Sequence, residues 1–261
     1  MHIRKAYILI RHFFNVKDDF FEESRVPLAK WLYFLYLWCQ DTMVNKAAET
    51  TGIAERTTFQ VYQYIRDIYT TKLLHTPTRL GGPGVIVQID ESLFCHKAKY
   101  CRGHRASKEQ WVFGLADTSA KPAITYMQTV DKLDADTLLP IIQSVVQPRT
   151  IIHSDQWRVY YHIQEKLHLE HATVNHSVNF VDPDTSVYTQ TIESCWARTK
   201  LKFKTMKDVS TDALPSYLDE RMWRDRWGKT TEDTFNNLCA HIAEQYLVTA
   251  VLSPNVAKQS F

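Results

Sequence analysis

The chain has 261 residues, of which 44% are hydrophobic and 23% charged, and its formal net charge is +2. This composition is typical of a folded globular protein and excludes extensive disorder. No apolar run approaches the ~20 residues needed to cross a bilayer, and the N-terminus carries no clean signal peptide, so we expect an intracellular protein with no membrane partner.

Residues 1–75 are predicted to form a helical region of their own. Residues 28–40 are apolar nearly all round, which predicts a buried helix that is too short to span a membrane. A short helix, then Gly52, then a longer helix to about Tyr69 follow. Glycine at that point can adopt the left-handed conformation that ends a helix.

This pair of helices has the spacing of a helix-turn-helix. Ala48 is small where helices cross, Gly52 permits the turn, and Ile53 and Phe59 are apolar where the second helix returns to the core. We therefore predict DNA binding, with an ordinary helix pair that packs a core as the alternative. The residues expected to face a DNA groove are Glu55, Arg56, Thr57, Thr58 and Gln60.

Residues 76–84 are rich in proline and glycine and are predicted to be a linker. Beyond it, three strands with short connections, and therefore antiparallel, precede alternating helices and strands. This is the order of the ribonuclease H-like fold, an α/β fold with a mixed five-stranded sheet and flanking helices, which we predict for residues 85–210. A C-terminal helical extension is predicted for residues 211–261. The expected strands are 85–92, 110–116, 123–130, 149–154 and 171–175, and the expected helices are 134–146, 156–167, 189–203, 212–227 and 231–248.

Three acids stand out by their positions in these elements. Asp90 and Asp155 each end an apolar, β-branched run, and Glu193 lies near the start of a predicted helix. In the expected sheet the first strand is central and the fourth lies beside it, so Asp90 and Asp155 should meet at one edge. Because side chains alternate across a strand, Glu91 should point away from Asp90 and be exposed or salt-bridged.

The helix that carries Glu193 predicts how this acid is presented. Glu193, Trp196 and Lys200 are at positions i, i+3 and i+7, so they share one face. Two surface charges would be the plainer explanation, but the large aromatic between them should turn this face toward the protein. Glu193 would then face a metal and Lys200 a phosphate. His153 shares a strand face with Asp155 and is expected to be a core histidine.

Three carboxylates without histidine or cysteine ligands form a hard oxygen site, which is suited to Mg²⁺ or Mn²⁺. Two such ions, which we expect here, would activate a nucleophilic oxygen and stabilise the leaving oxygen of a phosphoryl transfer. Four other acids could be metal ligands, but they lie at predicted turns and at a helix start, where aspartate is expected for local structural reasons. They are Asp117, Asp131, Asp134 and Asp136. A zinc site is the alternative for Cys95, His96, Cys101 and His104, but their spacing matches no common finger.

Two runs of basic residues contain no acid, and each follows one of the proposed carboxylates. Either run alone is explained equally well as a solvated surface, but the two together favour a polyanionic partner, which we predict to be double-stranded DNA. The first run comprises Lys97, Lys99, Arg102, Arg105 and Lys108. The second comprises Arg198, Lys200, Lys202, Lys204 and Lys207.

Several short motifs in order resemble one known family, the DDE transposase domain of Merlin elements and their bacterial insertion-sequence relatives. The resemblance covers roughly residues 75–225, and the order of its motifs makes it more specific than any one of them. The motifs are Gln88-Ile89-Asp90-Glu91-Ser92, Arg102-Gly103, Gln110-Trp111-Val112-Phe113-Gly114, His153-Ser154-Asp155-Gln156-Trp157, Val174-Asn175-His176-Ser177 and Thr189-Gln190-x-Ile192-Glu193-x-x-Trp196-x-x-x-Lys200.

The resemblance implies a metal-dependent enzyme that cuts DNA at transposon ends and joins the freed 3′-hydroxyl to target DNA. It also implies that Asp90, Asp155 and Glu193 are the catalytic triad, that Lys200 is the accompanying lysine, and that the protein acts as a homo-oligomer on DNA. Tyr188 stands where relatives often have histidine, and the cysteine-rich zinc ribbon that relatives often carry is not seen. If the host is eukaryotic, a nuclear location is expected.

Two alternative functions are compatible with the same residues. The first is a domesticated transposase-derived protein that binds DNA without turnover. The second is another nuclease of the ribonuclease H-like fold, which would cleave DNA without joining strands.

Overall fold

A computed structural model describes residues 26–95, 109–174, 187–206 and 211–251. The chain divides into two compact units, one formed by residues up to His75 and from Trp227 onward, the other by Thr76–Arg226. The helices that follow residue 211 therefore belong to different units. Within the described ranges, no helix combines the length and apolar character needed to cross a membrane.

The described elements follow one another in this order. They are α1 (Leu28–Cys39), α2 (Val44–Thr51), α3 (Glu55–His75), β1 (Ile86–Cys95), β2 (Gln110–Asp117), β3 (Ile124–Val130), α4 (Ala135–Val145), β4 (Ile151–Asp155), a 3₁₀ turn (Arg158–Tyr160), α5 (Ile163–Leu167), β5 (Glu170–Val174), α6 (Gln190–Met206), α7 (Leu214–Trp227) and α8 (Thr231–Val251).

The first unit packs its helices around large aromatic side chains. Trp38 of α1 stacks on Tyr69 of α3, with 5.8 Å between ring centroids. Gly52 ends α2 in the left-handed conformation, with φ 66°, and its N–H donates to the carbonyl of Ala48. The Lys30 ammonium also donates to the Thr51 carbonyl at 2.9 Å. The sharp turn expected at Gly52 is therefore present.

The orientation of α3 differs from the sequence prediction at two adjacent residues. Thr58, expected to face DNA, is 0% exposed, and its hydroxyl donates to the carbonyl of Ala54. Phe59, expected in the core, is 51% exposed. The inward stripe of α3 runs through Thr58, Val61 and Ile65, at helical spacing, so the neighbouring residue is carried about 100° round the helix to the outside.

The second unit is built on a five-stranded sheet in the order β3-β2-β1-β4-β5. β1, β2 and β3 are antiparallel neighbours, whereas β1, β4 and β5 run parallel. This is the mixed sheet of the ribonuclease H-like fold, as predicted. One face is covered by α4 and α5 through a core that includes Val87, Ile89, Phe113, Leu115, Leu138, Ile142, Ile152 and Ile163.

The helix predicted for residues 156–167 is wrong in its first half. The Asp155 carboxylate accepts the N–H of Trp157, and the Trp157 carbonyl accepts the N–H of Tyr160, which tightens the chain into the 3₁₀ turn. Only Ile163–Leu167 is α-helical. Tyr160 is buried by this arrangement, with 1% exposure.

Two buried carboxylates fix α7 to its neighbours in the second unit. Asp225 accepts the hydroxyl of Thr125 on β3 at 2.5 Å and also pairs with Arg221. Glu220 pairs with Lys202 of α6 at 2.5 Å and with Arg224 at 2.8 Å. Burial raises the pKa of Glu220, but the two cations outweigh it and hold the pKa at about 2. This carboxylate therefore stays ionised within the packed unit.

Candidate active site

Asp90 and Asp155 lie where two parallel strands separate. The β1–β4 ladder ends at the pair Gln88 and His153, two residues before each acid. Because that pair is in register and side chains alternate, Asp90 and Asp155 extend from the same face of the sheet. β1 continues to Cys95, so Asp90 lies within its strand, whereas Asp155 is the last residue of β4.

The third acid is carried by α6, which lies against β1 and β2. Ile192 and Trp196 of α6 are buried, at 0% and 5% exposure, whereas Glu193 is exposed. The Thr189 hydroxyl donates to Glu193 Oε1 at 3.3 Å. The side of α6 that carries Trp196 is turned toward the sheet, and Glu193 remains accessible at its margin.

The charge of Asp90 interacts with the charges of both other acids. Burial is the main reason that the pKa of Asp90 rises from 3.8 to about 6, and the charges of Asp155 and Glu193 raise it further. The indole N–H of Trp196 and the backbone N–H of Glu91 act in the opposite direction by donating to the Asp90 carboxylate. The site therefore holds an excess of negative charge.

The side chains of the three acids lie in one region but do not converge closely enough to bind a metal ion together. Among the described residues, no group of three or more His, Cys, Asp or Glu side chains is close enough to hold a metal ion. The donor set is nonetheless all carboxylate, and the mutual repulsion just described is of the kind that a divalent cation relieves.

Lys200 lies near enough to Asp90 for their charges to interact. Its ammonium is 5.3 Å from the centre of the Phe94 ring, at the end of β1. Burial lowers the pKa of Lys200, and the charge of Asp90 partly restores it. A cation at this position can contact a phosphate that approaches Asp90.

Glu91 is neither exposed nor salt-bridged in the described structure, and the expectation for it is wrong. It points to the face opposite Asp90, but its Oε1 is buried without a hydrogen-bond partner there. Burial raises the pKa of Glu91 to about 8, and the charges of Asp90 and Asp155 contribute. This burial was not predictable locally, because β1 continues past Glu91 to Cys95 and carries its side chain to the packed face of the sheet.

His153 packs inside the second unit as expected. Its ring meets that of Tyr188 edge-on at 5.9 Å, and its Nδ1 lies 3.4 Å from the Tyr188 carbonyl. Burial lowers the pKa of His153. Tyr188 therefore packs against the strand that carries Asp155.

The competing acids have local structural roles. Asp117 accepts N–H groups from Gly81 at 2.7 Å and Ser119 at 2.8 Å. Asp134 caps α4 by accepting the N–H of Thr137 at 2.9 Å. Asp136 lies in the first turn of α4, where the helix dipole interacts favourably with a carboxylate.

The second basic run divides by position on α6. Lys204 is exposed, and Arg198 is exposed while its guanidinium contacts the Cys195 sulfur at 3.2 Å. Lys202 instead forms the buried pair with Glu220, so a structural role accounts for its charge. The first basic run, from Lys97 to Lys108, Lys207 and most of the alternative zinc cluster lie outside the described residues.

Replacing Lys202 with alanine should lower stability rather than DNA affinity. The substitution leaves the buried Glu220 carboxylate short of one cation, which typically costs about 3 kcal/mol. Lys204→Ala on the same helix is the matched control, and it should leave the urea midpoint unchanged. Equal unfolding midpoints for the two variants would contradict the assignment of Lys202 to the packed interior.

Two residues of the site were not predicted from the sequence. Gln88 accepts the N–H groups of Thr191 and Ile192 at the start of α6, at 2.9 and 3.0 Å. Gly114 pairs with Asp90, and a Cβ on it would lie 2.4 Å from the Trp196 ring. The available signal was strand alternation, since Gln88 is two residues before Asp90 and so shares its face.

The strand order, together with acids on β1, on β4 and on a helix that packs against β1, defines a ribonuclease H-like domain with a carboxylate site. The family comparison is more specific, because residues 79–225, more than half of the chain, match the ISXO2-like transposase domain. The chain belongs to this family of bacterial insertion-sequence transposases. The expected kinship with bacterial insertion sequences is thereby confirmed, while kinship with Merlin elements stays a prediction.

The chain is also similar to parts of individual proteins. An uncharacterized transposase-like protein of Haemophilus influenzae is 28% identical over 99 residues, which cover 38% of this chain and 78% of that protein. A simian T-cell lymphotropic virus intasome in complex with PP2A regulatory subunit B56 gamma matches 70% of this chain and 68% of its own, with 15% identity and a TM-score of 0.36. A pre-cleavage Mos1 transpososome matches 84% and 81%, with 11% identity and a TM-score of 0.29. These TM-scores are low, and neither structure assigns a residue here.

Proposed function

We propose that this transposase is a DDE enzyme that cleaves DNA at transposon ends and transfers the freed strand to target DNA. The proposal rests on Asp90 and Asp155 on one face of the sheet and Glu193 at the start of α6, where burial first and then the charges of the other two acids raise the pKa of Asp90. The charge of Lys200 interacts with that of Asp90, and Lys200 would contact the DNA phosphate. Strand joining distinguishes this activity from that of a simple nuclease.

The carboxylates of Asp90, Asp155 and Glu193 would hold Mg²⁺ or Mn²⁺, and two ions are proposed. When bound, such ions supply charge stabilisation for in-line phosphoryl transfer. The protein contributes the orientation of these acids: Trp157 donates its backbone N–H to Asp155, and Thr189 donates its hydroxyl to Glu193. Lys200 adds a positive charge near Asp90.

DNA contacts are proposed for the outward face of α3, the exposed cations of α6 and the first basic run. On α3, Arg56 and Gln60 are exposed and Thr57 is partly exposed, whereas Thr58 is excluded by its burial. Arginine and glutamine are side chains that read base edges in the major groove. The proposal includes assembly of more than one copy on double-stranded DNA and, since the substrate is cellular DNA, an intracellular location.

The proposal is tested with DNA that carries the inverted repeats flanking the gene. Purified protein is expected to cleave the ends and join them to a target plasmid in Mg²⁺ and not in EDTA. The Glu193→Gln protein should bind the same DNA but perform neither step, because a neutral amide of similar shape replaces the charged carboxylate. Products are counted by sequencing the junctions.

Each contrary result has a defined meaning. Cleavage without joining would favour another nuclease of this fold. Binding without cleavage by the unmodified protein would favour a domesticated DNA-binding protein. Cleavage by Glu193→Gln at the unmodified rate would remove Glu193 from the proposed triad.

Gln60→Ala is expected to weaken binding to the transposon end by about tenfold, because one base-reading amide is lost. Fluorescence anisotropy at fixed salt measures this change, with scrambled DNA as the reference. Gln63→Ala, one turn further along the exposed side of α3, is the matched control for position. A Gln60→Ala protein that binds specific and scrambled DNA as the unmodified protein does would contradict the proposed orientation of α3.

A further inference from the structure

The N-terminus of α6 is capped from another part of the chain. Thr189 precedes the helix, and its hydroxyl donates to Glu193 Oε1 at 3.3 Å. The backbone N–H groups of Thr191 and Ile192, in the first turn, donate to Gln88 Oε1 at 2.9 and 3.0 Å. A side chain that accepts such orphan donors fixes where a helix begins. Here the acceptor belongs to β1, 103 residues before Thr191.

The second bond between the same strand and helix involves Asp90. The indole Nε1 of Trp196 donates to Asp90 Oδ2 at 2.9 Å. The indole occupies a slot over Gly114, where any Cβ would lie 2.4 Å from the ring. Phe94 meets the indole edge-on, with 5.6 Å between centroids. The ring is therefore held on two sides while its N–H points at the first acid.

Together these contacts join β1 and α6 at two points. Gln88 and Asp90 are two residues apart on one strand face, and their partners begin α6 and lie on its second turn. Glu193 is located between those partners. We infer that Gln88 and Trp196 are positioning residues that set Glu193 relative to Asp90, an inference that rests on the proposed catalytic role of these two acids.

The orientation of the Gln88 amide supports this role. Thr191 and Ile192 offer only donors, so the atom that faces them is the oxygen. The Nε2 of Gln88 is consequently buried with no hydrogen-bond partner among the described residues. A buried donor without a partner is unfavourable, and an apolar side chain would avoid it. The Gln88 amide therefore holds the start of α6, although one of its own polar atoms is left without a hydrogen bond.

Gln88→Met is the first test, because methionine fills a similar volume and cannot cap the helix. Hydrogen exchange at Thr191 and Ile192 should become at least about tenfold faster, while exchange in β5 stays unchanged. The rate constant for cleavage of bound DNA should fall by about ten- to a hundredfold, as small misplacements of reacting groups do. DNA affinity should change by less than about twofold.

Trp196→Phe is the second test, since phenylalanine keeps a ring in the slot but has no N–H. The same loss of cleavage rate without loss of affinity is expected. Trp111→Phe is the matched control: Trp111 packs against the core on the opposite sheet face, and its substitution should leave cleavage unchanged. The indole N–H signal of Trp196, identified by its loss in Trp196→Phe, should shift in Asp90→Ala while that of Trp111 does not.

The inference would be overturned if hydrogen exchange at Thr191 and Ile192 were unchanged in Gln88→Met. It would also be overturned if the indole N–H signal of Trp196 did not shift in Asp90→Ala. Cleavage at the unmodified rate by both variants would do the same. If the unmodified protein does not cleave DNA at all, the proposed function fails, whereas the exchange and indole measurements still decide whether the two contacts exist. The two failures are thus distinguishable.

Discussion

Asp90→Asn is expected to lower the rates of cleavage and strand transfer by about a thousandfold or more. The same substitution is expected to stabilise the metal-free protein. Activity falls because the amide cannot supply the negative charge that the proposed chemistry requires. Stability rises because folding raises the pKa of Asp90 from 3.8 to about 6, mainly by burial. Above that pH the ionised carboxylate costs the folded state up to about 3 kcal/mol, which asparagine avoids.

The measurement combines urea unfolding at pH 7.5 in EDTA with the cleavage assay. Added Mg²⁺ should raise the unfolding midpoint of the unmodified protein but not that of Asp90→Asn. Asp117→Asn is the matched control, because Asp117 accepts hydrogen bonds from Gly81 and Ser119 and its substitution should lower stability. An Asp90→Asn protein less stable than Asp117→Asn would contradict this account of the site.

The second large effect is a loss of stability of the metal-free protein as pH rises, caused chiefly by Glu91. Burial raises the pKa of Glu91 from 4.5 to about 8. Between these values the folded protein retains a proton that the unfolded chain releases, so stability falls as pH increases. The loss begins above pH 4.5, is complete near pH 8 and amounts to several kcal/mol.

Glu91→Gln should remove most of this pH dependence. The variant and the unmodified protein should have similar free energies of unfolding near pH 4.5, and the variant should be clearly more stable at pH 8. Glu109→Gln, which changes an exposed acid just before β2, is the control and should retain the full dependence. Parallel stability curves for the Glu91 variant and the unmodified protein would show that Glu91 is solvated rather than buried.

The sequence by itself determined which segments form the strands and helices of the second unit, and which of these elements carry the three acids. These features follow from short-range physics. Alternation along a strand, helical spacing and the abrupt end of an apolar run are visible within a few residues. The same reasoning correctly attributed Asp134 to a helix cap and placed the turn at Gly52.

Only the tertiary structure decided which polar side chains are buried, and against what. The cap that Gln88 provides to α6 and the pair between Lys202 and Glu220 join residues 103 and 18 positions apart, and no local pattern shows such partners. The orientation of α3 was misjudged at Thr58 and Phe59, because one residue turns a helix by about 100° and packing alone selects the inward side. Burial without a partner, as at Glu91, depends on every element around the residue, and so it emerges only once the chain has folded.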